Sequence, residues 1–114
     1  MQDLDKDARI RKEQRRLLKL FKDADKNKLD LARALIERAS YITVTLQDLE
    51  AELSEAGWTE EYQNGKGQSG IKRSASADVH ISLTKNLATI MKQLQEIVPP
   101  AKRKDSRLAA LMDE

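Results

Sequence analysis

Two runs of apolar residues, spaced alternately three and four apart, constrain this chain more than any other feature. Ala32, Leu35, Ala39, Ile42, Leu46, Leu49 and Leu53 keep that spacing over three heptads, and His80, Leu83, Leu87, Ile90, Leu94 and Ile97 repeat it. On an α-helix this spacing gathers the side chains into one stripe, which needs a second stripe to cover it. Two helices of similar length with one connection predict a long antiparallel helical hairpin. Tyr41-Ile-Thr-Val-Thr45 has strand propensity, yet the heptad passes through it with no flanking turn residue, so helix is expected there. Gly57 is placed to stop the first long helix. Ser76 or Asp78 is placed to cap the second, and Pro99-Pro100 to end it.

Ahead of the hairpin, residues 9–24 read as an amphipathic helix. Ile10, Leu17, Leu18, Leu20, Phe21 and Ala24 fall on one side, whereas Arg9, Arg11, Lys12, Arg15, Arg16, Lys19 and Lys22 fall on the other. Only Glu13 and Gln14 intrude on the apolar side. The charge is segregated along the whole chain: residues 1–22 carry +4, residues 23–63 carry −6 and residues 64–114 carry +4, for a net +2. A face with many cations and few anions within four residues repels itself unless an anionic partner meets it. Nucleic acid, a membrane surface or an acidic groove would each serve. The chain therefore divides into an N-terminal basic amphipathic helix at 1–28, a helical hairpin at 29–98 and a basic, then apolar, tail at 99–114.

The connection at 58–75 holds three of the four glycines. Asn64-Gly65 is a two-residue turn signal, since both central positions of such a turn need positive φ, and a small β-ribbon or an ordered Gly-rich loop is expected. A phosphate-binding loop is not. Gly65 and Gly70 have the required separation, but Ile71 stands where the lysine must be, and Lys72 and Ser74 are out of register.

Other chemistry finds little support. With no cysteine there is no disulfide framework, zinc finger or thiol nucleophile, and a lone histidine, His80, cannot assemble a metal site. Packed or hydrogen-bonded at a helix interface is the better reading of His80. Ser76, Ser82 and Asp78 form no nucleophile elbow with it. A non-enzymatic protein without cofactor or metal is expected. No apolar run reaches the length of a membrane span and the N-terminus is no signal peptide, so a soluble, intracellular protein is expected.

At the connection the sequence resembles a known family. Tyr62, Asn64, Gly65, Gln68, Gly70, Ile71 and Lys72, followed by Leu83, Lys85, Met91 and Leu94, match the pattern of a tailed-phage terminase small subunit, over roughly residues 30–98. The resemblance implies a DNA-packaging factor. It would form rings, bind viral double-stranded DNA in the cytoplasm of the bacterial host, and regulate the large subunit, which holds the ATPase and nuclease. Many such subunits carry an N-terminal helix-turn-helix. Here the roughly 28 preceding residues suffice for one helix, so contacts dominated by the DNA backbone are expected.

Arg9, Arg11, Lys12, Arg15, Arg16, Lys19 and Lys22 are the first candidates for DNA contact, with Lys66, Lys72 and Arg73 second. Leu31, Leu35, Ile36, Ile42, Leu46, Leu49, Leu53, Leu83, Leu87, Ile90 and Leu94 are the candidates for oligomerisation. One hairpin seam cannot bury all the apolar surface on offer, so a homo-oligomer larger than a dimer is expected. Leu108, Leu111 and Met112 are candidates for docking a partner, the large subunit by the resemblance. The rival readings are a helical oligomeric adaptor without a DNA role and a small dimeric DNA-binding regulator.

Overall fold

A computed structural model describes residues 2–65 and 67–97, with side chains from Asp5 onward except that of Asn64. It is mainly helical: three helices and one small antiparallel sheet, in the order α1 (Gln2–Leu20), α2 (Lys26–Ala56), β1 (Thr59–Asn64), β2 (Gln68–Arg73) and α3 (Ala75–Ile97). The tail at 99–114 and Lys66 lie outside the described residues, and with them Leu108, Leu111 and Met112.

The first helix starts earlier and stops sooner than its apolar pattern indicates. It begins at Gln2 and ends at Leu20. There the bonding tightens from four residues to three, with Phe21 N–H donating to Leu18 O at 3.1 Å and Ala24 N–H to Phe21 O at 3.0 Å. Asp25 then leaves the helix (ψ 136°), and its carboxylate accepts from Asn27 N–H at 3.0 Å, capping α2. Phe21 and Ala24 therefore pack from a turn and not from a helix face, and Lys22 sits on that turn.

The 31-residue α2 is the spine of the molecule, about 45 Å long. It runs unbroken through Tyr41–Thr45. Its buried residues, Ala32, Ile36, Ala39, Ser40, Ile42, Val44, Leu46 and Leu53, make a broader band than the heptad seam. Ile36, Ser40 and Val44 form an added row four apart. The Ser40 hydroxyl meets its hydrogen-bonding need within the helix, donating to Ile36 O at 2.8 Å, whereas Thr45 Oγ1 is buried with no partner among the described residues.

Both other helices run against α2 in the opposite direction. Leu17 and Phe21, at the end of α1, join Ala32, Ile36, Ala39 and Leu94 in the main core cluster, while Arg9 reaches Asp48 further along α2. For α3, Ser76 meets Glu52, His80 meets Glu50, and Leu94 reaches the cluster near the start of α2. The main core cluster therefore sits at one end, where all three helices meet, and Leu46, Leu53 and Ala77 are buried further along.

At the other end, Gly57 stops α2 with φ 91° and donates its N–H to Leu53 O at 2.8 Å. The ribbon pairs Thr59 with Arg73 through to Asn64 with Gln68. That register keeps Asn64 in the ladder, paired with Gln68, so the two-residue turn expected at Asn64-Gly65 is not formed. Asn64 closes the ladder, and Gly67 supplies the positive φ, 75°. The expected caps of the third helix are also displaced. Ser74 does the capping, its Oγ accepting from Ala77 N–H at 3.2 Å, while Ser76 bonds Glu52 and Asp78 pairs with Arg73. The cap therefore sits two residues before Ser76 and four before Asp78, with Ser74 serving an orphan donor of the first turn, which releases both side chains for other contacts.

Candidate nucleic-acid interface

Only the C-terminal part of α1 and the turn after it are seated in apolar core. Within residues 5–24 the buried side chains are Leu17 and Phe21, with Leu18 and Ala24 partly covered beside them. This anchor turns the opposite side of the helix outward. Arg11, Lys12, Arg15, Lys19 and Lys22 are exposed and make no ion pair among the described residues. Arg11, Arg15 and Lys19 follow one another at four-residue steps, hence along one face. From Arg11 to Lys19 the helix rises about 12 Å, which corresponds to three to four phosphates of one DNA strand measured as rise along the duplex axis.

The remaining candidates on this segment have partners within the chain. Arg9 donates from Nη1 to Asp48 Oδ1 at 2.7 Å and from Nη2 to Gln47 Oε1 at 3.0 Å. Lys6, which the sequence pattern did not single out, supports the same contact. Its Nζ lies 3.9 Å from Asp48 Oδ2 and 5.0 Å from the centre of the Tyr41 ring. Arg16 folds back on Glu13, donating from Nε and Nη2 to its two carboxylate oxygens at 2.8 and 2.7 Å. That hydrogen bond raises the Arg16 pKa, with Glu13's charge adding to it and burial opposing it, so the guanidinium stays charged but engaged. Five of the seven first-ranked cations are thus free to meet an anion, and two tie α1 to itself or to α2.

The second-ranked cations lie elsewhere. Lys72 Nζ is 3.5 Å from Glu60 and Arg73 Nε is 3.0 Å from Asp78, so the ribbon's described cations are balanced locally. The ribbon springs from the C-terminal end of α2, whereas Leu17 and Phe21 hold the basic end of α1 near its N-terminal end. Among the described residues, one continuous basic surface joining the two groups is not formed. At the ribbon's base, Trp58 stands edge-on to His80, with centroids 5.1 Å apart, and His80 Nε2 lies 3.0 Å from Glu50 Oε2. The single histidine is a joint between ribbon and helices.

The oligomerisation candidates divide by burial. Ile36, Ile42, Leu46, Leu53 and Leu94 are buried within the single chain, and Leu35, Leu49, Leu83, Leu87 and Ile90 are partly buried. Leu31 stands 72% exposed, and Tyr41 and Val79 are about half exposed. Between α2 and α3 an open groove of about 420 Å³ is lined by Arg38, Tyr41, Ile42, Leu83, Asn86, Thr89 and Ile90. Among the described residues no cluster of His, Asp or Glu could hold a metal ion, and no helix is long and apolar enough to cross a membrane.

The described residues form a mainly helical protein in which Arg11, Lys12, Arg15, Lys19 and Lys22 are exposed and make no ion pair among those residues. No family model, curated protein or solved structure matches the chain.

Proposed function

We propose that this chain is a non-enzymatic, DNA-binding small subunit of a tailed-phage terminase. In this reading it assembles into a ring in the cytoplasm of the bacterial host, holds viral double-stranded DNA, and regulates the large ATPase and nuclease subunit. The observation that carries the DNA-binding part is the outward row of Arg11, Lys12, Arg15, Lys19 and Lys22, which find no counter-charge among the described residues. Phosphates offer that counter-charge, and contacts to phosphate carry no sequence information directly. The assignment to terminases rests on the resemblance at 62–72 and 83–94. A long antiparallel hairpin, with the ribbon at its connection, is the assembly core in this reading, and the tail carrying Leu108, Leu111 and Met112 docks on the large subunit.

Two measurements test the proposal together. Sedimentation gives the mass in solution, and fluorescence anisotropy gives binding to a labelled 20-base-pair duplex of random sequence. The expected result is a species larger than a dimer that binds unrelated duplexes with similar affinity. A monomer, or a protein indifferent to DNA at low salt, would overturn it.

A further inference from the structure

We propose that the ribbon is a subunit interface, in which the β1 edge of one copy pairs with the β2 edge of the next. This rests on the oligomeric part of the reading above and names the surface that makes it.

A two-stranded ribbon is marginal by itself, and needs a third strand or a packed face to be stable. This one has neither among the described residues. Every described side chain in both strands is exposed, Ile71 at 73%, and only the backbone of Gly70 is partly covered, by the Tyr62 ring across the ladder. Its base is fastened by Ser74 N–H donating to Trp58 O, by the Trp58–His80 contact and by Arg73–Asp78. Beyond the base, each strand turns the N–H and C=O of alternate residues away from its partner. Both six-residue edges are therefore templates for pairing. Edges are ordinarily guarded by proline, among other devices, and the ribbon has none.

Charge selects the occupant. The acids of the ribbon, Glu60 and Glu61, are both on β1, whereas Lys72 and Arg73 are both on β2. Pairing two copies about a two-fold axis gives no acid a base: a parallel β1 or β2 pair sets like charges side by side, and a fully overlapped antiparallel pair sets Glu60 and Glu61 opposite Gln63 and Tyr62, and Lys72 and Arg73 opposite Ser69 and Gln68. Pairing β1 of one copy with β2 of the next sets acids beside bases, and it uses both edges. DNA would be repelled by the β1 edge, and an unrelated peptide would occupy one edge and leave the other open. A second copy of this chain satisfies both. Such head-to-tail contacts generate a ring when the rotation closes. Rotation about an axis along the ribbon preserves strand direction, so a neighbour's β1 meets β2 antiparallel, continuing the existing ladder. Glu60 and Lys72 remain exposed although they lie 3.5 Å apart within one ribbon, so each has room for a neighbour's charge.

Two charge variants of the full chain test this by complementation. Glu60→Lys with Glu61→Lys makes both edges basic, and Lys72→Glu with Arg73→Glu makes both acidic. Each variant alone should need a protein concentration higher by about tenfold or more to assemble, because every intermolecular edge then opposes like charges. An equimolar mixture should regain assembly, since a basic β1 then meets an acidic β2 and a basic β2 meets an acidic β1. Mixing cannot repair the repulsion each variant creates inside its own ribbon, so recovery cannot come from refolding of the ribbon. Sedimentation velocity reads all three samples. Variants that keep the wild-type mass, or a mixture that stays dissociated, would overturn the ribbon interface while leaving the oligomeric reading intact. A monomeric wild type would overturn both.

Discussion

Replacing Phe21 with alanine should be among the most damaging single changes in the chain, although Phe21 lies in a turn. Phe21 is 4% exposed and belongs to the cluster with Leu17, Ala32, Ile36, Ala39 and Leu94. An aromatic side chain buries on the order of 150–250 Å², which at about 25 cal/mol per Å² is worth roughly 4–6 kcal/mol. Residual burial in the denatured chain and the methyl group that alanine retains reduce this to about 3 kcal/mol, close to the range of about 3–5 kcal/mol typical of such truncations. A chain of this size has on the order of 5–15 kcal/mol in total, so a large fraction of its stability would go. Urea unfolding followed by circular dichroism gives the loss for the whole chain. Trp58 fluorescence, read in the same titration, reports from the far end of α2. Both midpoints should fall together if the helices unfold as one unit. Leu20→Ala is the control: Leu20 is one residue away and 44% exposed, and its loss should cost under about 1 kcal/mol. Equal costs for the two variants, or a Phe21→Ala cost below about 1 kcal/mol, would show that the turn is not seated in the core.

Smaller perturbations probe other joints. Thr45→Val removes a buried hydroxyl with no partner among the described residues and keeps the side-chain shape, so thermal melting should show unchanged or slightly raised stability; a loss above about 1 kcal/mol would mean the hydroxyl is satisfied in solution. Asp25→Ala removes the carboxylate that caps α2 and should cost about 1 kcal/mol by urea titration, whereas Asp25→Asn should keep most of it.

The helices were legible in the sequence because apolar spacing at 3.5 residues leaves little freedom of interpretation, even across Tyr41–Thr45, where propensity argues for a strand. The ribbon was legible as a possibility only. Asn64-Gly65 signals a turn, but which residue takes the positive φ depends on strand register, and the ladder from Thr59–Arg73 to Asn64–Gln68 gives that to Gly67. The cations of α1 were legible as a face, but their availability was not. Arg9 is withdrawn by Gln47 and Asp48, thirty-eight and thirty-nine positions away, a pairing that no local pattern encodes. Arg16 was closer to readable, since Glu13 stands three residues before it and such spacing favours a pair. The width of the buried band on α2 also escaped the heptad, because Ile36, Ser40 and Val44 are buried outside the single seam that it marks.

The most direct test of the DNA-binding claim is the salt dependence of binding to a random duplex, for wild type and for the triple variant Arg11→Ala, Arg15→Ala, Lys19→Ala. Each phosphate neutralised contributes about −0.9 to the slope of log K against log salt. If the three exposed cations each meet one phosphate, the variant should flatten the slope by up to about 2.7 for every subunit in contact, and weaken binding to all duplexes alike. Arg16→Ala, whose guanidinium is held by Glu13, should leave the slope nearly unchanged. A triple variant with the wild-type slope and affinity would contradict the assignment of this helix to DNA.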